Sequence, residues 1–303
     1  MTPSKQRLAV LLAFLFAPAF ALADIDTKIV DCSRGGSIQE AVGSKGPGRP
    51  LTVIVRGTCM EDVEITRDDV SLLGEGGIIN GSVRVDGARR LVIADLSVTN
   101  PGGDGVTITN GGSATVTRAE INDSFGYGLF LRDGSFAVVK DSKFLRNGIV
   151  NPASINDASG IAVSTGSVVR ASGNKIAENA NAGIEVFDSS FYRSEGDEIA
   201  MRASAPGRSA VDAFRRGHIE LRGATVSGNV FVNQQSHLQM RNAAVQSTLS
   251  NGHIAVSGLS FLRLRAGIQR RFPSTLSCNT SAGSLAVCVC DDAASCAPSI
   301  PAP

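Results

Sequence analysis

Two carboxylates, Glu185 and Asp212, take the same position in successive units of an apolar alternation. Acids held about one strand spacing apart repel, so one of the pair keeps its proton longer. That division allows one group to give a proton while the other accepts, as glycoside chemistry requires. The position they share runs Arg84, Thr107, Phe130, Ala162, Glu185, Asp212 and Phe231 along the chain. Phe130 and Phe231 therefore flank the acids and could stack on sugar rings. Tyr127, Asp157, Arg202 and Arg208 lie in or beside the turns that lead into this position. Histidine supplies a second candidate chemistry. "GHIELRGATV", "SHLQMRNAAV" and "GHIAVSGLSF" each carry one imidazole in one slot, giving His218, His237 and His253. Adjacent imidazoles can share a transition-metal ion. Stacked polar side chains at turns more commonly satisfy one another, so the metal reading ranks second.

What must position these groups is a repeat. Gly105-Val106, Gly128-Leu129, Gly160-Ile161 and Gly183-Ile184 recur along the chain. Each is followed by a turn serine (Ser113, Ser135, Ser167, Ser190) and then by an apolar residue (Ile121, Phe144, Ile176, Ile199). The three histidines extend the serine slot, with Val226, Val245 and Phe261 as the following apolar residues. Each unit reads as three short alternating strands separated by turns. Stacked in sequence, such units form a parallel β-helix, in which equivalent positions make columns along the axis. About eight coils are expected between Val53 and Phe261. Two insertions, within "LRNGIVNPASIND" and "AMRASAPGRS", enter the same turn and should wall a groove over the acid pair. Strict alternation from Ser167 and Ser190 would turn Arg170 and Arg193 inward. Burial of unpaired guanidinium is so unfavourable that a change of register leaving both exposed is expected instead.

Composition narrows the classes further. The chain has 303 residues, 33 of them Gly, with no Trp and two Tyr, which suits short strands and tight turns. Lys5 and Arg7, the apolar run Leu8 to Phe20 and the small residues Ala21 to Ala23 read as a leader, residues 1–23, implying secretion or a periplasmic location. Taking Lys5 and Arg7 from 29 basic side chains leaves 27 against 28 acidic, which argues against a nucleic-acid partner. No further apolar run is long enough to span a membrane. In an exported chain, Cys32 and Cys59 should form one bridge, and Cys278, Cys288, Cys290 and Cys296 two more. "GSIQEAV" reads as a short capping helix within an N-terminal cap, residues 24–50, with Ser37 and Glu40 as a capping box. The solenoid is assigned to 51–262, and a cysteine-rich C-terminal cap to 263–303.

The stretch "VIVRGTCMEDVEITRDDVSLLGEG" resembles the opening coil of the pectin-lyase-like superfamily and of pectin methylesterases. There, a glycine, a tyrosine-like residue and a glutamate precede the first apolar strand. Cys59 holds the aromatic position, from which it could bridge back to Cys32. The resemblance covers about residues 30–262 and implies an all-β, single-stranded right-handed parallel β-helix. It does not extend to the sites of the enzymes on that fold. The Asn-Thr-Asp, Asp-Asp, Gly-His-Gly and Arg-Ile-Lys segments of polysaccharide hydrolases are missing, as is the Asp-Pro-His-Asp of alginate epimerases. No acid cluster of the pectate-lyase type stands out either. The sequence thus supports an exported scaffold that binds carbohydrate or another surface ligand without catalysis and without a cofactor. The alternative is a lyase, hydrolase or epimerase acting on an acidic glycan in a groove on the outer face.

Overall fold

The computed structural model describes residues 25–44, 48–151, 154–155, 158–202, 208–246, 253–257, 259–265, 269–271, 275–278 and 287–290. Their strands form three long parallel sheets of twelve, ten and ten strands, here A, B and C, which the chain visits in the repeating order A, B, C. This is a right-handed parallel β-solenoid of about nine turns, one more than the sequence count. One circuit consists of Phe136–Lys140 in sheet A, Lys143–Leu145 in sheet B and, after an insertion, Ile161–Val163 in sheet C. Stacking continues beyond residue 262, through Gln269–Arg271, Thr275–Cys278 and Val287–Cys290.

Period-2 alternation explains the core. In sheet C, Val106, Leu129, Ile161, Ile184, Val211 and Val230 face inward and are fully buried, each stacked on its equivalent in the next coil. Sheet B stacks Ile121, Phe144, Ile176, Ile199, Val226 and Val245 in the column read from the sequence. Phe261 does not belong to that column; it lies in sheet A opposite His237.

The corners are polar and buried, so their hydrogen bonds must be met internally. Between sheets A and B, the amide of Ser142 donates to Asn174 Oδ1 (3.0 Å) and the amide of Asn174 donates to Asp197 Oδ1 (2.8 Å). Between B and C, the amide of Asn147 donates to Asn179 Oδ1 at 2.9 Å. Between C and A, the amide of Ser135 donates to Ser167 Oγ (3.1 Å), and that of Ser167 to Ser190 Oγ (3.2 Å). The A–B and C–A corners turn the chain within a few residues and use a left-handed conformation to do so. At the A–B corner, Arg118, Asp141, Gly173, Gly196 and Gly223 all have φ between 49° and 74°. Glycine holds that geometry without a Cβ penalty, and aspartate tolerates it.

The N-terminal end is closed by helix Ile38–Gly43. Ser37 accepts from the amide of Glu40, as a capping residue should. The reciprocal acid is not Glu40 but Glu61, from the coil beneath: it accepts from the amides of Ile38 (2.7 Å) and Gln39 (3.1 Å) and from the Ser37 hydroxyl (2.8 Å). A carboxylate there meets the unpaired amides and the positive end of the helix together. The Cys32–Cys59 disulfide ties this cap to the first coil. Cys288 is also disulfide-bonded. The pairing of the C-terminal cysteines and the expected leader, residues 1–23, lie outside the described residues.

Candidate functional site

The column read from the sequence is in register throughout. Arg84 pairs with Thr107, Thr107 with Phe130, Phe130 with Ala162, Ala162 with Glu185, Glu185 with Asp212, and Asp212 with Phe231. All lie on the outer side of sheet C because their neighbours on each strand, such as Ile184 and Val186, point into the solenoid. Adjacent parallel strands are about 4.8 Å apart, which brings Glu185 and Asp212 side by side.

Although outward, this part of the face is enclosed. Ala162 is fully buried and Glu185 is 8% exposed. Glu185 Oε2 accepts from the Ser159 hydroxyl at 2.9 Å. Asp212 is half-buried, and its Oδ1 is shielded from solvent with no hydrogen-bond donor. Burial, and secondarily the charge of Glu185, pushes the Asp212 carboxyl up to about 7. A carboxylic acid poised at neutral pH beside a second carboxylate can hold or release a proton, or accept a hydroxyl from a bound molecule.

Both insertions enter at the B–C corner, one between Lys143–Leu145 and Ile161–Val163, the other between Glu198–Met201 and Ser209–Ala213. The first contains a small antiparallel pair, Ile149–Asn151 with Ser154–Ile155. Arg208 donates to Asn181 Oδ1 at 3.0 Å, anchoring the return of the second. Arg202 leaves Nη1 buried and without an acceptor. Asp157 lies outside the described residues. Tyr127 and Phe130 pack together, ring centroids 4.8 Å apart, and the Arg132 guanidinium sits 5.8 Å from the Phe130 ring.

Phe187 and Phe214, two residues beyond the acids on the same outer face, were missed in the sequence. Their rings stack at 4.9 Å and nearly parallel, and Arg215 lies within about 5 Å of both. The signal was present: "EVF" and "DAF" share the spacing of acid and ring. Because the rings face each other along the axis, their edges rather than their faces border the acid pair. Toward the N-terminal end of the same face, a cleft of about 390 Å³ is lined by Arg84, Asp104, Thr107 and Arg132 among others. Burial there raises the Asp104 carboxyl above the ordinary aspartate value, against a hydrogen bond from the Tyr127 amide at 2.8 Å. A larger cleft, about 780 Å³, lies at the N-terminal cap beside Arg67, Asp69 and Arg90. Neither cleft contains the acid pair.

The histidine slot requires correction. His218 and His237 do stack, in sheet A, but they share their column with Ser113, Phe136, Val168, Phe191 and Phe261. Ser135, Ser167, Ser190, Ser236 and Ser260 lie one residue earlier and are buried at the corner. His253 belongs to neither column, since it opens strand His253–Val256 of sheet C opposite Thr275. A three-histidine ladder is therefore excluded. The same one-residue offset settles the arginines: Ser167 and Ser190 turn inward, so Arg170 is exposed and Arg193 is half-buried on the outer side. Burial lowers the pKa of His218 and of His237, opposed by the nearby Glu220 carboxylate. The only cluster of three metal-ligating residue types among the described residues, Cys32, Cys59 and Glu61, has its two sulfurs joined to each other and its carboxylate committed to the helix cap.

Residues 56–199 match the family described as a right-handed β-helix region. An alginate lyase from Paenibacillus sp. str. FPU-7 superposes with a TM-score of 0.62 at 15% identity, covering 83% of this chain and 97% of the other. Pectate lyase Pel9A superposes with a TM-score of 0.53 at 14% identity, covering 84% and 79%. No curated protein matches the chain. At such identities the likeness is one of fold, and fold by itself carries no activity. About nine stacked circuits, three parallel sheets and polar buried corners among the described residues identify the chain as a right-handed parallel β-helix repeat protein with the pectin-lyase-like fold.

Proposed function

We propose that the protein is an exported β-helix scaffold that binds a saccharide on the outer face of sheet C, over Glu185 and Asp212. The observation that carries this reading is Asp212 Oδ1, shielded from solvent and without a donor. Leaving a buried acceptor unmet costs about 1–3 kcal/mol, which a ligand hydroxyl would recover on reaching it through a shift of the covering side chains. Glu185, held by the Ser159 hydroxyl, supplies an adjacent acceptor. The Phe130 ring and, beyond Asp212, the Phe231 ring extend the face along the axis. Export is supported by the expected leader and by the Cys32–Cys59 bridge, which suits an oxidising compartment. Among the described residues no helix is long and apolar enough to cross a membrane. Two solved structures that share this fold are named as lyases of alginate and pectate, which makes a glycan the first ligand class to test.

One observation favours a catalytic variant of this reading. The Asp212 carboxyl at about 7 is matched to proton transfer at neutral pH, with the Glu185 carboxyl beside it. In that case the protein is a lyase, hydrolase or epimerase acting on the glycan it holds. A glycan array followed by a product assay on each hit separates the two. Binding without turnover, weakened about tenfold or more in Asp212→Ala and in Phe130→Ala, supports the scaffold. Turnover abolished in Asp212→Asn and Glu185→Gln supports the enzyme. Glycan binding unaffected by Asp212→Ala refutes this face as the site.

A further inference from the structure

We propose that His218 and His237 form a two-imidazole site for a divalent transition-metal ion of the zinc class on the outer face of sheet A. The inference is independent of the saccharide reading, which concerns sheet C.

The two histidines are register partners on adjacent strands, and their Nδ1 atoms lie 3.4 Å apart. A zinc ion bound by two imidazoles at about 2.0–2.1 Å in tetrahedral geometry holds their nitrogens about 3.3 Å apart. The backbone register already supplies that bite, so neither strand has to move. Without metal, one ring donates its Nδ1–H to the other. For both Nδ1 lone pairs to face an ion, the donating ring moves its proton from Nδ1 to Nε2. Both rings remain neutral, and no proton is gained or lost.

The surroundings accept that tautomer at His218. Its Nε2 is shielded from solvent and has no partner, and Glu220 Oε1 lies 3.9 Å away. Glu220 is itself held by Arg222 at 3.3 Å and Arg193 at 3.8 Å. A carboxylate behind an imidazole N–H is the usual device that turns the opposite nitrogen toward a metal. Phe191 and Phe261 close the two ends, ring centroids 4.9 Å from His218 and 4.8 Å from His237. Side-chain exposure of 36% at His218 leaves the outer side open, where water completes the coordination. Imidazole suits zinc, copper and nickel over magnesium or calcium. His253, in sheet C, takes no part.

The test is calorimetric titration of the full-length protein, carrying no histidine tag, with zinc chloride, and with magnesium chloride as control. One zinc per chain is expected, with Kd on the order of micromolar, as befits two protein ligands. Phenylalanine already occupies this column at Phe136, Phe191 and Phe261, so His218→Phe and His237→Phe keep the packing while removing one ligand each. Each should weaken zinc binding at least about tenfold with the circular dichroism spectrum unchanged. Glu220→Gln should weaken it several-fold, and His253→Ala should not change it. No zinc uptake by the unsubstituted protein at about 1 mM, or undiminished uptake by His237→Phe, would overturn the proposal.

Discussion

Asp212→Asn should make the protein more stable at alkaline pH and leave it nearly unchanged in acid. The Asp212 carboxyl is raised from an ordinary value of 3.8 to about 7, first by burial and then by Glu185. Below about pH 4 the group is protonated in both folded and unfolded chains and contributes no pH dependence. Between about pH 4 and 7 the unfolded chain loses its proton while the folded chain keeps it, so folding stability falls as pH rises. Above about pH 7 the folded chain carries a buried charge beside a second one, and the penalty levels off. At about 1.4 kcal/mol per pH unit the full span amounts to about 4 kcal/mol, of which relaxation of the site should leave about 2–4 kcal/mol. Asparagine keeps the shape of the side chain and cannot ionise. Differential scanning calorimetry of both proteins at pH 4.5 and pH 8.5 measures the effect. In a chain of this size each kcal/mol moves Tm by about 2–4 °C, so the variant should melt about 4–16 °C higher at pH 8.5, and within a few degrees at pH 4.5. A Tm difference that is the same at both pH values would refute the claim that Asp212 is a buried, charge-opposed acid. Glu185→Gln should lower the pH midpoint of the effect without abolishing it, because burial is the larger cause.

Three other outcomes follow from the scaffold. Replacing both Cys32 and Cys59 by serine opens a loop of 27 residues and should destabilise the cap by about 3–4 kcal/mol, read as lost denaturant resistance of residues near the N-terminus by hydrogen exchange. Glu61→Ala leaves the amides of Ile38 and Gln39 without their acceptor and should cost about 1–2 kcal/mol, whereas Glu40→Ala, which removes no cap, should cost far less; chemical denaturation of the two variants distinguishes them. Gly160→Ala would set a Cβ 2.6 Å from Asn179 Nδ2 and 2.7 Å from Ile176 Cγ2, so it should lower stability by about 1–3 kcal/mol and weaken glycan binding, measured by thermal shift and by the array.

Where the sequence was misread, the corners were responsible. Counting alternation straight through a turn assumes that the strand pattern continues, yet Asp133 and Gly134 both adopt left-handed backbone, at φ 60° and 70°. The phase restarts after such a turn. Ser135 and Ser167 thus became buried corner rungs, and the histidine slot moved one place along. The Asn174–Asp197 and Asn147–Asn179 ladders were also hidden, because a buried asparagine at a corner looks in sequence like any exposed turn residue. Circuit length mattered as well. His253 follows His237 by too few residues to complete a circuit, so it falls on sheet C while Phe261 takes the place above His237.

Local alternation and the glycine-led spacing were enough to determine the solenoid, its inward columns and the adjacency of Glu185 and Asp212, because parallel stacking maps equal positions in successive units onto neighbouring strands. Tertiary structure alone decided how deeply those acids are covered, which aromatic rings stack beside them, and which two of three imidazoles meet. Burial and side-chain approach depend on corner geometry and on insertions from distant parts of the chain, and neither is encoded in the period of any single strand.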